Sequence, residues 1–210
     1  MSDLTELTCR EFLNRLASNA PTPGGGGGAA MAGALAVALA SMVGNLTVGK
    51  EKFAKNEAEM QELLKEAEAL RTQFLQLVNA DAEVFNEFMA CYRLPKATDE
   101  EKQQRNQAIQ NAAKRAAEVP LQIAEASLKV MHIAKRMAEV GNPTAITDAA
   151  VSSIMGRAAL RSAAYNVVVN LKLIKDEEYN QKMYAKLEAM QQEAQALEQE
   201  TLAVTDVVLG

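Results

Sequence analysis

The sequence predicts an all-α bundle of about six to seven helices, some unusually long, built as one domain over residues 1–210 and assembled as a dimer. Three observations carry this expectation. Almost every window is helix-forming, and none shows sustained alternation with β-branched and aromatic enrichment. Between about Lys52 and Tyr92 the apolar positions Met60, Leu63, Ala67, Leu70, Phe74, Leu77, Val84 and Phe88 recur at steps of three and four, a coiled-coil-like seam. Two segments open on capping boxes, Thr8 with Glu11 and Thr98 with Glu101. A helix of about 40 residues reaches roughly 60 Å, more than one compact domain of this size needs, so its extra length points to a homodimer or larger assembly.

Taken in order, the first helix starts at Thr8, whose capping box with Glu11 stands ahead of Phe12, Leu13 and Leu16, and ends near Asn19 ahead of two prolines. The run PTPGGGGG (Pro21 to Gly28) then reads as a loop feeding a helix from about Gly28 to Val43. Residues Gly24 to Gly49 carry no charge at all. Such a run has the length of a membrane span. Its Ala and Gly content, with few strongly apolar side chains, favours a central buried helix instead. The third helix, Lys52 to Tyr92, holds the seam, and LPKAT (Leu94 to Thr98) forms a turn. The next helix runs to about Glu118, with Pro120 kinking it or beginning another because proline cannot donate the helical hydrogen bond. Gly141 stops the stretch from Leu121 to Val140. In GNPTAITD (Gly141 to Asp148), Thr147 is placed to cap a helix that starts at Asp148 and carries Asn166 and Asn170 one turn apart among small residues. From Asp176 a solvated helix carries a weaker stripe of Tyr179, Met183, Leu187 and Met190.

Composition narrows the function. The net charge of −5 disfavours nucleic acid as a partner, so an anionic ligand needs a local cluster of Lys and Arg. Cys9 and Cys91 lack metal spacing, and MSDLTELT lacks the basic and apolar regions of a signal peptide, so a cytoplasmic protein is expected. The single histidine, His132, excludes a multi-histidine metal site and reads as structural.

The glycine run is neither a phosphate-binding loop of the Gly-Lys-Ser/Thr kind nor a dinucleotide fingerprint. Its backbone N–H groups, at a helix start, suit a carboxylate or polar heteroaromatic ligand. Asp81 interrupts the apolar seam one step after Leu77. Three roles stay open for it: a partner of an interior Arg or Lys, a solvent-facing break, or a carboxylate desolvated inside a site and so suited to acid/base work. Alone, Asp148 reads as a first-turn residue favoured by the helix dipole, and Lys50 as a surface lysine.

Taken together, PTPGGGGGAAMAGALAVALASMVGNLTVGK, DAEVFNEFMACYRLPK, AAEVPLQIAEAS, GNPTAITDAAVSS and YNVVVNLKLIKDEEY resemble the formiminotransferase-cyclodeaminase C-terminal domain family, in that family's order, from about Phe12 to Tyr179. The resemblance implies an all-helical dimer with tetrahydrofolate sites at or near the subunit interface. It also implies one-carbon chemistry on a tetrahydrofolate substrate, with no metal and no tightly bound cofactor. Stand-alone bacterial members of this length are often methenyltetrahydrofolate cyclohydrolases. Formiminotetrahydrofolate cyclodeamination is the close alternative, and a non-catalytic folate-binding scaffold a second. In the site so implied, Asp81 is the base with Asp148 as rival, and Lys50 serves the proton at N5. Asn45, Asn142 and Asn166 orient the pterin or the attacking water, beside Thr22, Gly24, Gly25 and Gly26. Lys96 and Arg157 are candidates for the glutamate tail. The family's loop commonly runs Gly-Gly-Gly-Ser; Gly27 stands at the serine position here, so a hydroxyl contact is lost.

Overall fold

A computed structural model describes residues 3–210, and among them are six α-helices and no strand. They are α1 (Cys9–Leu16), α2 (Gly25–Asn45), α3 (Glu57–Cys91), α4 (Asp99–Val140), α5 (Ile146–Leu171) and α6 (Glu177–Leu209). Both expected capping boxes form. The Thr8 and Thr98 side chains accept from the Glu11 and Glu101 backbone N–H groups, and each glutamate returns a bond to its cap residue.

Four boundaries differ from the sequence expectation, each for a local reason. The glycine run is not a loop ahead of α2 but its first turn, since the helix begins at Gly25. α1 stops at Leu16, where Ala17 takes the last helical hydrogen bonds. Pro120 does not divide α4, which runs unbroken for 42 residues. α5 begins at Ile146 after a 3-10 turn over Pro143–Ala145; Asn142 caps that turn, its Oδ1 accepting from the Thr144 N–H at 3.1 Å, while α5 itself starts from Ala145 without a side-chain cap and Thr147 lies inside the helix.

α2 is the axis of the bundle, packed against α3, α4 and α5. Small residues let its neighbours approach: a Cβ on Gly33 would lie 2.3 Å from the Phe74 ring, and one on Gly44 would lie 2.7 Å from Leu64. Phe74 is fully buried in return, a contribution of about 1.5–3 kcal/mol for a side chain of this size. These contacts also fix direction. Gly33 meets Phe74 and Gly44 meets Leu64, so α3 runs antiparallel to α2. Gly25 meets Asn166, and the Ser152 hydroxyl donates to the Ala36 carbonyl at 2.7 Å, so α5 does too. By length and composition α2 could cross a membrane, but 56% of its most apolar window is buried inside the bundle. α3 and α6 both pack along α4, so much of the length of that helix is matched within the chain. His132 on α4 pairs with Glu193 on α6 at 2.8 Å, a structural tie between half-exposed side chains.

Candidate functional site

The antiparallel packing of α3 and α5 on α2, with Ala116 of α4 beside them, brings four separated stretches of sequence to one cavity of about 330 Å³ at the N-terminal end of α2. That volume is at the small end for ligand pockets and suits a fused bicyclic ring. Of the expected residues, Thr22, Gly24, Gly25, Gly26, Asp81 and Asn166 line it. Val84, Phe85, Phe88, Val169 and Leu173 form an apolar wall.

Asp81 is the only ionisable side chain in that lining. It is half-buried, and among the described residues no Lys or Arg pairs with it, which removes the interior ion pair and the solvent-facing break. Its Oδ2 accepts from the Gly27 N–H at 2.9 Å, so the carboxylate caps α2 from another helix. The donor at Gly27 is therefore backbone, in the place where a serine hydroxyl was missed. Glycine is required beside it: a Cβ on Gly26 would lie 1.9 Å from Oδ1. Burial raises the Asp81 pKa above the ordinary aspartate value, opposed in part by the Gly27 hydrogen bond. A carboxylate held this way can exchange a proton nearer neutrality than a solvated one.

Asn166 packs its amide over Gly25 and donates through Nδ2 to the Ser162 carbonyl at 2.9 Å. Asn170, one turn further on α5, also lines the cavity, as do Phe85 and Phe88. Sequence reasoning left these three out of the site. The Asn166/Asn170 spacing was the available signal for the first of them, but the aromatic pair reads only as seam.

The other expected residues lie elsewhere. Asn45, Lys50, Asn142 and Asp148 gather at the far end of α2, about 30 Å away for a helix of 21 residues. Asn142 is buried and structural: its backbone N–H donates to Thr47 Oγ1 at 2.9 Å and its Nδ2 to the Leu46 carbonyl at 3.0 Å, while its oxygen serves Thr144. With both ends of its amide engaged, it does not orient a ligand. Asn45 and Lys50 are exposed, and Asp148 is half-buried in the first turn of α5 with no ion pair among the described residues. Arg157 is neutralised by Glu198 of α6, and nine residues before Asn166 it falls on the opposite side of α5. Lys96 is exposed in the α3–α4 turn, outside the cavity wall. A second groove of about 310 Å³, between α5 and α6, is lined by Arg161, Tyr165, Tyr184 and Gln191 and holds none of the expected residues. Among the described residues no three His, Cys, Asp or Glu side chains are grouped to hold a metal.

Residues 8–189 match the family described as Formiminotransferase-cyclodeaminase. A methenyltetrahydrofolate cyclohydrolase from Methylorubrum extorquens is 44% identical over 190 residues, which cover 90% of this chain and 91% of that protein. The formimidoyltransferase-cyclodeaminase of Rattus norvegicus is 32% identical over 191 residues, 91% of this chain but 35% of the longer relative. In three dimensions the chain is similar to the formiminotetrahydrofolate cyclodeaminase of Thermotoga maritima, with a TM-score of 0.89 and 29% identity over 99% of this chain and 100% of that one.

Proposed function

This chain belongs to the formiminotransferase-cyclodeaminase family, and on that premise we propose that it hydrolyses 5,10-methenyltetrahydrofolate to 10-formyltetrahydrofolate. The observation that carries the proposal is the lone carboxylate of Asp81, half-buried in a bicycle-sized cavity beside backbone N–H donors. The 44% identical cyclohydrolase, matched over nearly its whole length, supports the choice of reaction.

The proton inventory fits one carboxylate. The bound methenyl group is a cation, and its charge beside Asp81 favours the ionised base against the effect of burial. Water adds to the methenyl carbon while Asp81 takes one of its protons. The substrate is then neutral, and burial favours the protonated carboxyl, which returns the proton to N5. The C–N5 bond breaks, the remaining hydroxyl proton leaves, and the formyl group stays on N10; in sum, cation plus water gives 10-formyltetrahydrofolate and one proton. Thr22, Asn166 and the Gly24 to Gly26 backbone hold the pteridine. The assay is the absorbance of methenyltetrahydrofolate, which falls much faster with enzyme than in buffer. An unchanged rate with folded protein refutes the reading.

The likeness to the Thermotoga cyclodeaminase over the whole chain favours a second reading, cyclodeamination of formiminotetrahydrofolate, tested by ammonia release from that substrate. A non-catalytic folate binder would show tight binding and neither turnover.

The proposal includes a homodimer in the cytoplasm. Two free cysteines support the compartment. An exposed face along α2 and α5, bearing Leu35, Met42, Leu46, Val151, Ile154 and Tyr165, supports the dimer. Two helices about 10 Å wide and 30 Å long present on the order of 600 Å², close to the roughly 800 Å² per partner of a standard interface. A two-fold axis crossing near Leu35 and Ile154 would bring the Asn45, Lys50 and Asp148 end of one copy to the Asp81 cavity of the other.

A further inference from the structure

Pro120 lies in the middle of α4 and has no N–H, so the carbonyl four residues earlier, at Ala116, has no helical donor. That carbonyl is not left unpaired. Asn170 of α5 donates to it through Nδ2 at 2.8 Å, and the same nitrogen donates to the Asn166 carbonyl at 2.9 Å. Both partners are carbonyl oxygens, so the amide has one orientation: nitrogen toward the backbone, oxygen turned away. Ala116 and Asn170 both line the Asp81 cavity. Among the described residues the Asn170 oxygen has no hydrogen-bond partner, and it is not buried away from the cavity, so it is open to a ligand.

Resting on the cyclohydrolase reading, we propose that Asn170 is a substrate-recognition residue held in register by the backbone gap at Pro120. Its oxygen accepts a hydrogen bond from the 2-amino or ring N–H edge of the pteridine. The cavity combines the polar side chains of Thr22, Asn166 and Asn170 with the aromatic rings of Phe85 and Phe88, a lining that suits a flat ring with a polar edge. A site that hydrogen-bonds a substrate N–H discriminates strongly against analogues without it, because the acceptor is then left unpaired. Asn170 makes this contact in ground state and transition state alike, remote from the reacting carbon, so it governs KM rather than kcat.

The design predicts that stability and binding part company. Pro120→Ala restores an N–H to the helix interior and competes with Asn170 for the Ala116 carbonyl. We expect a melting temperature raised by several degrees, since proline is the least favourable interior helix residue, together with a KM raised about three- to tenfold. Asn170→Ala should raise KM by about tenfold or more with kcat within about threefold, consistent with the loss of one hydrogen bond. Steady-state kinetics with methenyltetrahydrofolate and thermal melts, run on the wild type and both variants, decide it. A wild type with no turnover refutes the cyclohydrolase reading itself. An active wild type whose variants keep the same KM overturns the recognition role alone. A Pro120→Ala protein that is both less stable and weaker in binding overturns the register argument and makes Pro120 a packing residue.

Discussion

Replacing Asp81 by Asn tests the central group while leaving its shape in place. The amide oxygen can still accept from Gly27, now 2.9 Å from the carboxylate, so the cap on α2 survives as a neutral hydrogen bond. Charged hydrogen bonds contribute about 1.5–3 kcal/mol and neutral ones about 0.5–1.5, so roughly 1 kcal/mol is lost. The variant also no longer buries an unpaired charge, which offsets that loss. The expected stability change is on the order of 1 kcal/mol or less, a melting shift within about 4 °C for a chain of this length. Turnover should fall by at least about 100-fold, or ~2.7 kcal/mol of transition-state stabilisation, because the amide cannot accept a proton from water. The pH dependence carries a sign. Asp81 has a raised folded pKa, with burial as its main cause, so the native state holds the proton more tightly than the unfolded chain. Its contribution to stability is present below the ordinary aspartate value and is lost as pH rises through the raised one. The stability of the wild type relative to Asp81→Asn should therefore decline across that window. Over the same range kcat/KM of the wild type should rise with pH, and the variant should lack that limb. Decay of methenyltetrahydrofolate absorbance at several pH values, paired with thermal melts, reads both effects. An Asp81→Asn protein that folds and turns over at the wild-type rate refutes the assignment and leaves Asp81 a helix cap.

Three other outcomes follow from the same geometry. Gly26→Ala places a methyl 1.9 Å from Asp81 Oδ1; to reach ordinary contact the carboxylate must retreat by about 1.5 Å, a displacement that costs on the order of 100-fold in rate. Kinetics should show this loss in kcat, and wild-type kcat in a well-folded variant would contradict the close packing. Asn142→Ala should lower stability by about 1–3 kcal/mol, because the Leu46 carbonyl and Thr144 lose their buried partner; an unchanged melt would mean that the α2–α5 junction holds without it. For the dimer, in which Lys50 of one copy would stabilise charge on the substrate at the Asp81 cavity of the other, Asp81→Asn and Lys50→Ala chains, each impaired, should regain activity when unfolded together and refolded. Random pairing makes half the dimers mixed, each with one intact site, so about one quarter of wild-type activity should return. Recovery no greater than the residual activities would place Lys50 outside the site of the partner copy.

How much of the site could be read in advance depended on the kind of signal each residue gave. Asp81 was legible because a carboxylate on a seam of period three and four is a local contradiction, and contradictions of this kind collect at functional positions. Asn170 carried only the faint signal of its spacing from Asn166, and its role depends on a carbonyl 54 residues away in sequence. Asn142 looked like a ligand-binding loop residue, but its hydrogen bonds close on Leu46, Thr47 and Thr144. The glycine run reads as a loop, since adjacent glycines lose much backbone entropy on ordering. The Asp81 carboxylate, at 1.9 Å from any Cβ on Gly26, explains why that position in the first turn of α2 has to be glycine.

The sequence by itself determined the helices, their caps at Thr8 and Thr98, the apolar seam of α3 and the family, because periodicity, capping chemistry and ordered motifs are local properties of the chain. Only the tertiary structure decided which motifs share a cavity. Antiparallel packing of α3 and α5 on α2 sets Asp81 and Asn166 beside Gly25 and Gly26, and sends Lys50, Asn142 and Asp148 to the other end. That sorting rests on which small residues admit which neighbours, as Gly33 admits Phe74, and close contact between distant segments leaves no periodic trace in either one.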